Sequence, residues 1–153
     1  MENKLKTALS IIKSGVPIEE ASHDVDWKDF EGLVAEILES KNFEEVVRNF
    51  RMKKPTMEID VVGIHLGTAV LIDCKHWKRI TNSALEKIVL KQIDRVKHYV
   101  ASTDEIVAAP VIVTLYQEEI RFVNRVPIVP IMQFSSFIDE FYGNLEEIRT
   151  IEK

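Results

Sequence analysis

Hydrophobic periodicity divides the chain into helical and extended stretches. Leu5, Ala8, Leu9 and Ile12 recur at helical spacing and predict a short helix over 4–13, stopped by Ser14-Gly15 and Pro17. Residues 18–26 read as polar connection. From 26 to 41 a longer helix is predicted, with Trp27, Phe30, Leu33, Val34, Ile37 and Leu38 on one arc of a 3.6-residue wheel. Asp26 fits its N-cap, and Asp29 falls at the third helical position like a short capping box. Glu31 sits at the edge of the apolar arc, where a carboxylate can reach toward a sheet. Looser alternation around Val46, Val47 and Phe50 predicts a strand over 44–52, and Lys53-Lys54-Pro55-Thr56 the turn out of it. Two apolar runs, 59–64 and 68–72, flank Gly67 and read as a hairpin.

Leu85, Val89, Ile93, Val96 and Val100 form the core arc of a third helix over 84–101. Lys87, Lys91, Arg95 and His98 line its opposite side as a basic stripe. Gln92 projects into the apolar arc, either as a buried hydrogen-bonded amide or as a site residue. A β-branched run over 107–115 predicts a buried strand, followed by shorter strands over 120–123 and 126–132. Pro127 and Pro130 push the last of these toward a sheet edge. Ser135 or Ser136 is expected to cap a helix ending at Tyr142 before Gly143-Asn144, and 146–153 to add a further turn. The element order is that of an α/β protein, a mixed sheet flanked by helices. It divides into a helical extension over 1–25 and a single domain over 26–153.

Composition adds bounds. The chain is 46% hydrophobic and 29% charged, ordinary for a soluble domain. There is no apolar run of about 18 residues, so no membrane helix is expected. The start, Met-Glu-Asn-Lys-Leu-Lys, lacks the apolar stretch of a signal peptide. The single cysteine, Cys74, is expected to pack as a small apolar side chain in a reducing cytoplasm. A net charge of −5 argues against a pure polyanion binder. Its distribution changes that picture: Arg48, Arg51, Lys53, Lys54, Lys75, Lys78 and Arg79 crowd the centre, while acids dominate 19–45 and the tail after 139. No P-loop and no G-x-G-x-x-G stretch is present.

The chemistry concentrates in the hairpin. Side chains alternate across a strand, so Glu58 and Asp60 share a face, as do Asp73 and Lys75. Acids within Val/Ile-rich strands are costly to bury without compensation. The alternative is a solvated Asp73–Lys75 pair with Asp60 capping a strand end. Asp60, twelve intervening residues, then Asp73, one spacer and Lys75 resembles the signature of the PD-(D/E)XK nucleases, the restriction-endonuclease-like superfamily. Ile59 stands where that pattern often has proline. Trp27, Phe30 and Glu31, followed by the apolar arc, are similar to the first helix of archaeal Holliday-junction resolvases and Mrr-like restriction enzymes. The resemblance covers about 26–115 and extends less surely to 129.

That resemblance implies an αβββαβ core and a metal-dependent endonuclease acting on DNA, with a homodimer expected. It implies Mg²⁺ or Mn²⁺ on Asp60, Asp73 and the backbone carbonyl of Cys74. Glu31 would complete the shell and Glu58 is a weaker candidate ligand. It gives Lys75 the task of orienting water and countering phosphate charge. No thiolate or histidine set suggests zinc. Lys53, Lys54, His76, Lys78, Arg79, Lys87, Lys91 and Arg95 are candidate nucleic-acid contacts. Trp77 either stacks on a base or packs into the core. A catalytically silent binding module of the same fold, and a nuclease acting on RNA, are the alternatives.

Overall fold

A strand covered on both faces runs through the middle of the molecule and carries two of the three charges of the nuclease-like signature. The structure is a computed structural model and describes residues 29–76, 80–105, 107–115 and 119–153. Helix α1 (Phe30–Ser40) is followed by β1 (Glu45–Lys53), β2 (Thr56–His65), β3 (Thr68–Lys75), α2 (Asn82–Ser102) and β4 (Val107–Thr114). Then come β5 (Arg121–Val123), β6 (Val126–Pro130), α3 (Ile131–Asp139), a 3₁₀ turn (Tyr142–Asn144) and β7 (Ile151–Glu152). The sheet order is β1-β2-β3-β4-β6-β5, with β7 beside β4. β1, β2 and β3 are antiparallel neighbours, and β4 and β6 run parallel to β3. The mixed sheet and the αβββαβ order are those expected.

Helices cover both faces of β3, and every residue from Thr68 to Cys74 is buried. On one face Phe30, Leu33 and Ile37 of α1 and Phe134 of α3 pack on Val61, Val70 and Ile72. On the other, Val96, Tyr99 and Val100 of α2 pack on Met52, Val62 and Leu71, and Leu85, Val89 and Ile93 pack on Ile112 and Ile128. Each such side chain contributes ~1.5–3 kcal/mol on leaving water. The β2–β3 hairpin closes through Leu66 and Gly67, both with positive φ (50° and 77°), the backbone of a type I′ turn. No helix among the described residues is long and apolar enough to cross a membrane.

Some sequence expectations fall outside the described residues and others need correction. The predicted helix over 4–13, the Asp26 cap and Trp27 lie outside the described residues. The second predicted helix starts at Phe30, with Asp29 in the cap position but making no capping bond. Its carboxylate is taken by Arg48 Nη2, 2.5 Å from Oδ1. β6 is not an edge strand but lies between β4 and β5. Its prolines are tolerated because Pro127 lies outside the parallel ladder with β4 and Pro130 ends it. α3 begins directly after Pro130, not at Ser135 or Ser136, because Ile131, Phe134 and Ile138 bury one side of it. Residues 151–152 pair antiparallel with β4 rather than adding helix.

Gly63 marks a close approach of α1 and the chain after it to the sheet. A Cβ there would lie 2.8 Å from Leu38 Cδ1 and 2.9 Å from Phe43 Cδ2, both in the packed core. Gly63→Ala should therefore cost ~1–3 kcal/mol through overpacking, read as a lower urea midpoint at unchanged m-value. An unchanged midpoint would mean that α1 does not seat on the sheet this closely.

Candidate active site

The C-terminal end of β3 opens into a cleft of about 720 Å³ lined by Glu31, Thr56, Met57, Glu58, Asp60, Asp73, Cys74, Lys75, Lys91, Asp94 and Arg95. Because β3 is central, Asp73 is only 6% exposed. It is therefore not half of a solvated surface pair. The Cys74 N–H donates to Asp60 Oδ2 at 2.8 Å and anchors that carboxylate beside Asp73. Burial, first, pushes the Asp73 carboxyl up from 3.8 to about 6. The Lys75 and Arg95 charges pull it down, while Asp60, within hydrogen-bond reach and of like charge, pushes it up. Burial and a like charge alongside thus favour the protonated form of Asp73. Lys75 Nζ lies 3.3 Å from Asp73 Oδ2, yet that buried oxygen receives no directed hydrogen bond from the described residues, so the contact is electrostatic.

The acid end of β2 is irregular. Ile59 packs on the α2 side and Val61, two residues on, packs on the α1 side, so strand alternation breaks at Asp60. Opposite that break stands Asn49. Arg48 pairs with Val61 and Phe50 with Ile59, but no pairing joins Asn49 to Asp60. Asn49 has φ 54°, a left-handed backbone that costs roughly 1–2 kcal/mol for most residues and less for asparagine. With its amide nitrogen toward the acids, it donates to Glu58 Oε1 and Glu31 Oε2, each at 3.1 Å. The opposite orientation would set its oxygen against two carboxylates. Burial raises the Glu31 pKa, as do the charges of Asp60 and Glu58, against a lowering by Arg48. Among the described residues, no three His, Cys, Asp or Glu side chains meet closely enough to cage an ion. Glu31 thus lines the same cleft as the Asp60–Asp73 pair without closing onto it.

Helix α2 supplies the basic wall. Gln92 is fully buried and points away from the cleft: its Nε2 donates to the Leu71 carbonyl at 2.8 Å. Its Oε1 accepts from Arg95 Nη1 at 3.0 Å, so it orients the guanidinium that faces Asp73. Lys91 and Arg95 line the cleft, whereas Lys87 is exposed outside it. Lys53 and Lys54 lie exposed at the β1–β2 turn, whose next residues, Thr56 and Met57, reach the cleft. The His76 ring packs against Phe30, with centroids 5.0 Å apart, rather than lining the cleft. Trp77, Lys78 and Arg79 lie outside the described residues. The Cys74 side chain joins the α1-side core, and burial pushes its thiol well up. Asn49 and Asp94 are contributors that periodicity did not single out.

Residues 26–135 match the nuclease-related domain family (NERD). An uncharacterised protein of Archaeoglobus fulgidus is 31% identical over 124 residues, 79% of this chain and 95% of that one. Among solved structures, the protein of unknown function AF1548 superposes with a TM-score of 0.45 at 24% identity. That match covers 61% of this chain and only 50% of the other. The small subunit of the heterodimeric restriction endonuclease R.BspD6I superposes with a TM-score of 0.52 at 15% identity, over 97% of this chain and 82% of that one. This last likeness shows a shared restriction-endonuclease-like fold.

Asp73 sets a pH signature. Its folded pKa lies above its unfolded value, so protonation favours the folded state. Stability of the metal-free protein should fall as pH rises from 3.8 to about 6 and stay lower above that. At about 1.4 kcal/mol per pH unit, the loss from this group amounts to roughly 3 kcal/mol. Asp73→Asn, which keeps a donor toward Asp60, should flatten the fall and be the more stable protein at pH 7.5 in EDTA. Urea unfolding from pH 4 to 7.5 reads this. An unaltered pH profile with a less stable variant would count against the crowded-acid geometry.

Proposed function

Since the chain belongs to the nuclease-related domain family, we propose that it is a metal-dependent endonuclease hydrolysing phosphodiester bonds in DNA. One observation carries the reading: a buried Asp73 beside Asp60, with the Lys75 ammonium 3.3 Å away, at the floor of an open cleft. The donor set fits a hard divalent cation. Two crowded carboxylates, one with an oxygen outside any directed hydrogen bond, are relieved by positive charge. Asp60, Asp73 and the Cys74 carbonyl would hold Mg²⁺ or Mn²⁺, with Glu31 acting through water and Glu58 as a weaker partner. Bound there, a divalent ion supplies Lewis acidity toward the phosphate and eases deprotonation of the attacking water.

The chain's own groups do the rest. Lys75 orients the water and counters charge growing on the phosphate oxygens. Lys91 and Arg95 draw the phosphate to the α2 wall, and Gln92 keeps the guanidinium directed there. Lys53, Lys54 and Lys87, with Lys78 and Arg79, extend the basic footprint to backbone contacts that carry no base preference. His76 supports the first turn of α1 through Phe30. Cutting both strands calls for two clefts, hence a homodimer, acting in the cytoplasm.

Purified protein should cleave at least one of linear duplex, supercoiled plasmid, four-way junction, flap or single strand with Mg²⁺ or Mn²⁺, and not in EDTA. Asp73→Asn and Lys75→Ala should each lower turnover by ~10² or more with little change in DNA affinity. An RNA panel run alongside separates the two substrate classes. Near-wild-type cleavage by Lys75→Ala, or robust cutting in EDTA, would overturn the mechanism. Tight binding without cleavage on every substrate would make the protein a silent member of its family.

A further inference from the structure

We propose that Asn49 is a positioning residue of the acidic cluster. From a left-handed backbone position opposite Asp60, its side-chain amide holds Glu31 and Glu58 in place. The proposal deepens the metal-dependent reading above and rests on it.

Three features converge on this residue. The first is the backbone. A positive φ inside a β-strand is retained in a non-glycine residue only when the surroundings reward it. Here it falls at the one position of β1 that faces Asp60, between two regular pairs. The second is the consequence across the ladder. β2 switches faces at Asp60, which lets a residue of the acid strand reach the buried end of β3 and accept from the Cys74 N–H. The third is the side chain. One amide nitrogen offers its two protons to two different carboxylates, from α1 and from β2, at equal distances of 3.1 Å. Without a donor there, Glu31 and Glu58 would repel each other and swing toward solvent.

The choice of a neutral donor matters. An arginine or lysine at 49 would hold the same two carboxylates but would cancel charge that a divalent cation needs. The nearby arginines make only partial contact with the cluster. Arg48 is bound by Asp29, and Arg51 Nε only approaches Glu58, at 3.9 Å. Asn49 therefore fixes geometry while leaving the cluster anionic. Residues that orient metal ligands in this way matter to affinity although they never touch the ion.

Asn49→Gly separates this role from mere tolerance of the backbone. Glycine adopts φ 54° without strain, so the turn survives while the amide is lost. Mn²⁺ binding is measured by calorimetry on the DNA-free protein, with urea unfolding in EDTA as the check on folding. The expected result is an unfolding midpoint near that of the wild type and a Mn²⁺ dissociation constant raised about tenfold. The Mn²⁺ concentration for half-maximal cleavage should rise in step, with KM for DNA unchanged. Wild-type Mn²⁺ affinity in Asn49→Gly would overturn the proposal and leave Asn49 as a residue chosen for its backbone alone. If the wild type itself binds no Mn²⁺, the metal-dependent reading fails first and the proposal falls with it.

Discussion

Two carboxylates, Asp60 and Asp73, are held side by side where the central strand ends, and they cannot both be charged there without cost. One is anchored by a backbone N–H, the other by its place on a strand buried on both faces. Lys75 and Arg95 offset burial and the Asp60 charge only in part, so the Asp73 carboxyl stays pushed up to about 6. A fold selected for stability alone would place an isoleucine at 73, as it does at 72 and 112. The crowding is what a site gains from being built on rigid strands rather than on a loop.

Much of the remaining architecture maintains that arrangement. The hairpin turn at Leu66-Gly67 fixes the β2–β3 register and so which residues of the two strands face each other. The buried Gln92 ties α2 to the Leu71 carbonyl and aims Arg95 from the same anchor. At α1, Gly32 lets Asp29 fold back over the helix start: a Cβ at 32 would lie 2.5 Å from Asp29 Oδ1. Asp29 is thereby free to hold Arg48, whose charge moderates the burial of Glu31. The cleft is thus supported from the sheet and from α1 and α2.

The αβββαβ order was legible because hydrophobic period switches cleanly along the chain. Val89, Ile93 and Val96 could only be a helix face, and the runs around Gly67 could only be a hairpin. Local rules failed where tertiary context prevailed. Pro127 and Pro130 argued for an edge, yet β6 lies inside the sheet because neither proline has to donate within its ladder with β4. The serines at 135 and 136 looked like caps, but apolar burial starts α3 four residues earlier. In the cleft, the signature residues and Glu31, Lys91 and Arg95 are brought together, while His76 turns to Phe30 and Gln92 inward. Asn49 could not be read beforehand. An exposed asparagine in a strand has no periodic signal, and only its tolerance of the left-handed region hints at a role.

The central claim, that crowded acids await a cation, is tested most directly by thermal unfolding of the wild-type protein near pH 7.5 with and without millimolar Mn²⁺. Preferential binding to the folded state predicts a stabilisation of ~1 kcal/mol or more, a rise of about 2–4 °C in Tm for a chain of this size. A melting curve indifferent to Mn²⁺ would contradict the account and leave Asp60 and Asp73 as a charged pair offset by Lys75 and Arg95 alone.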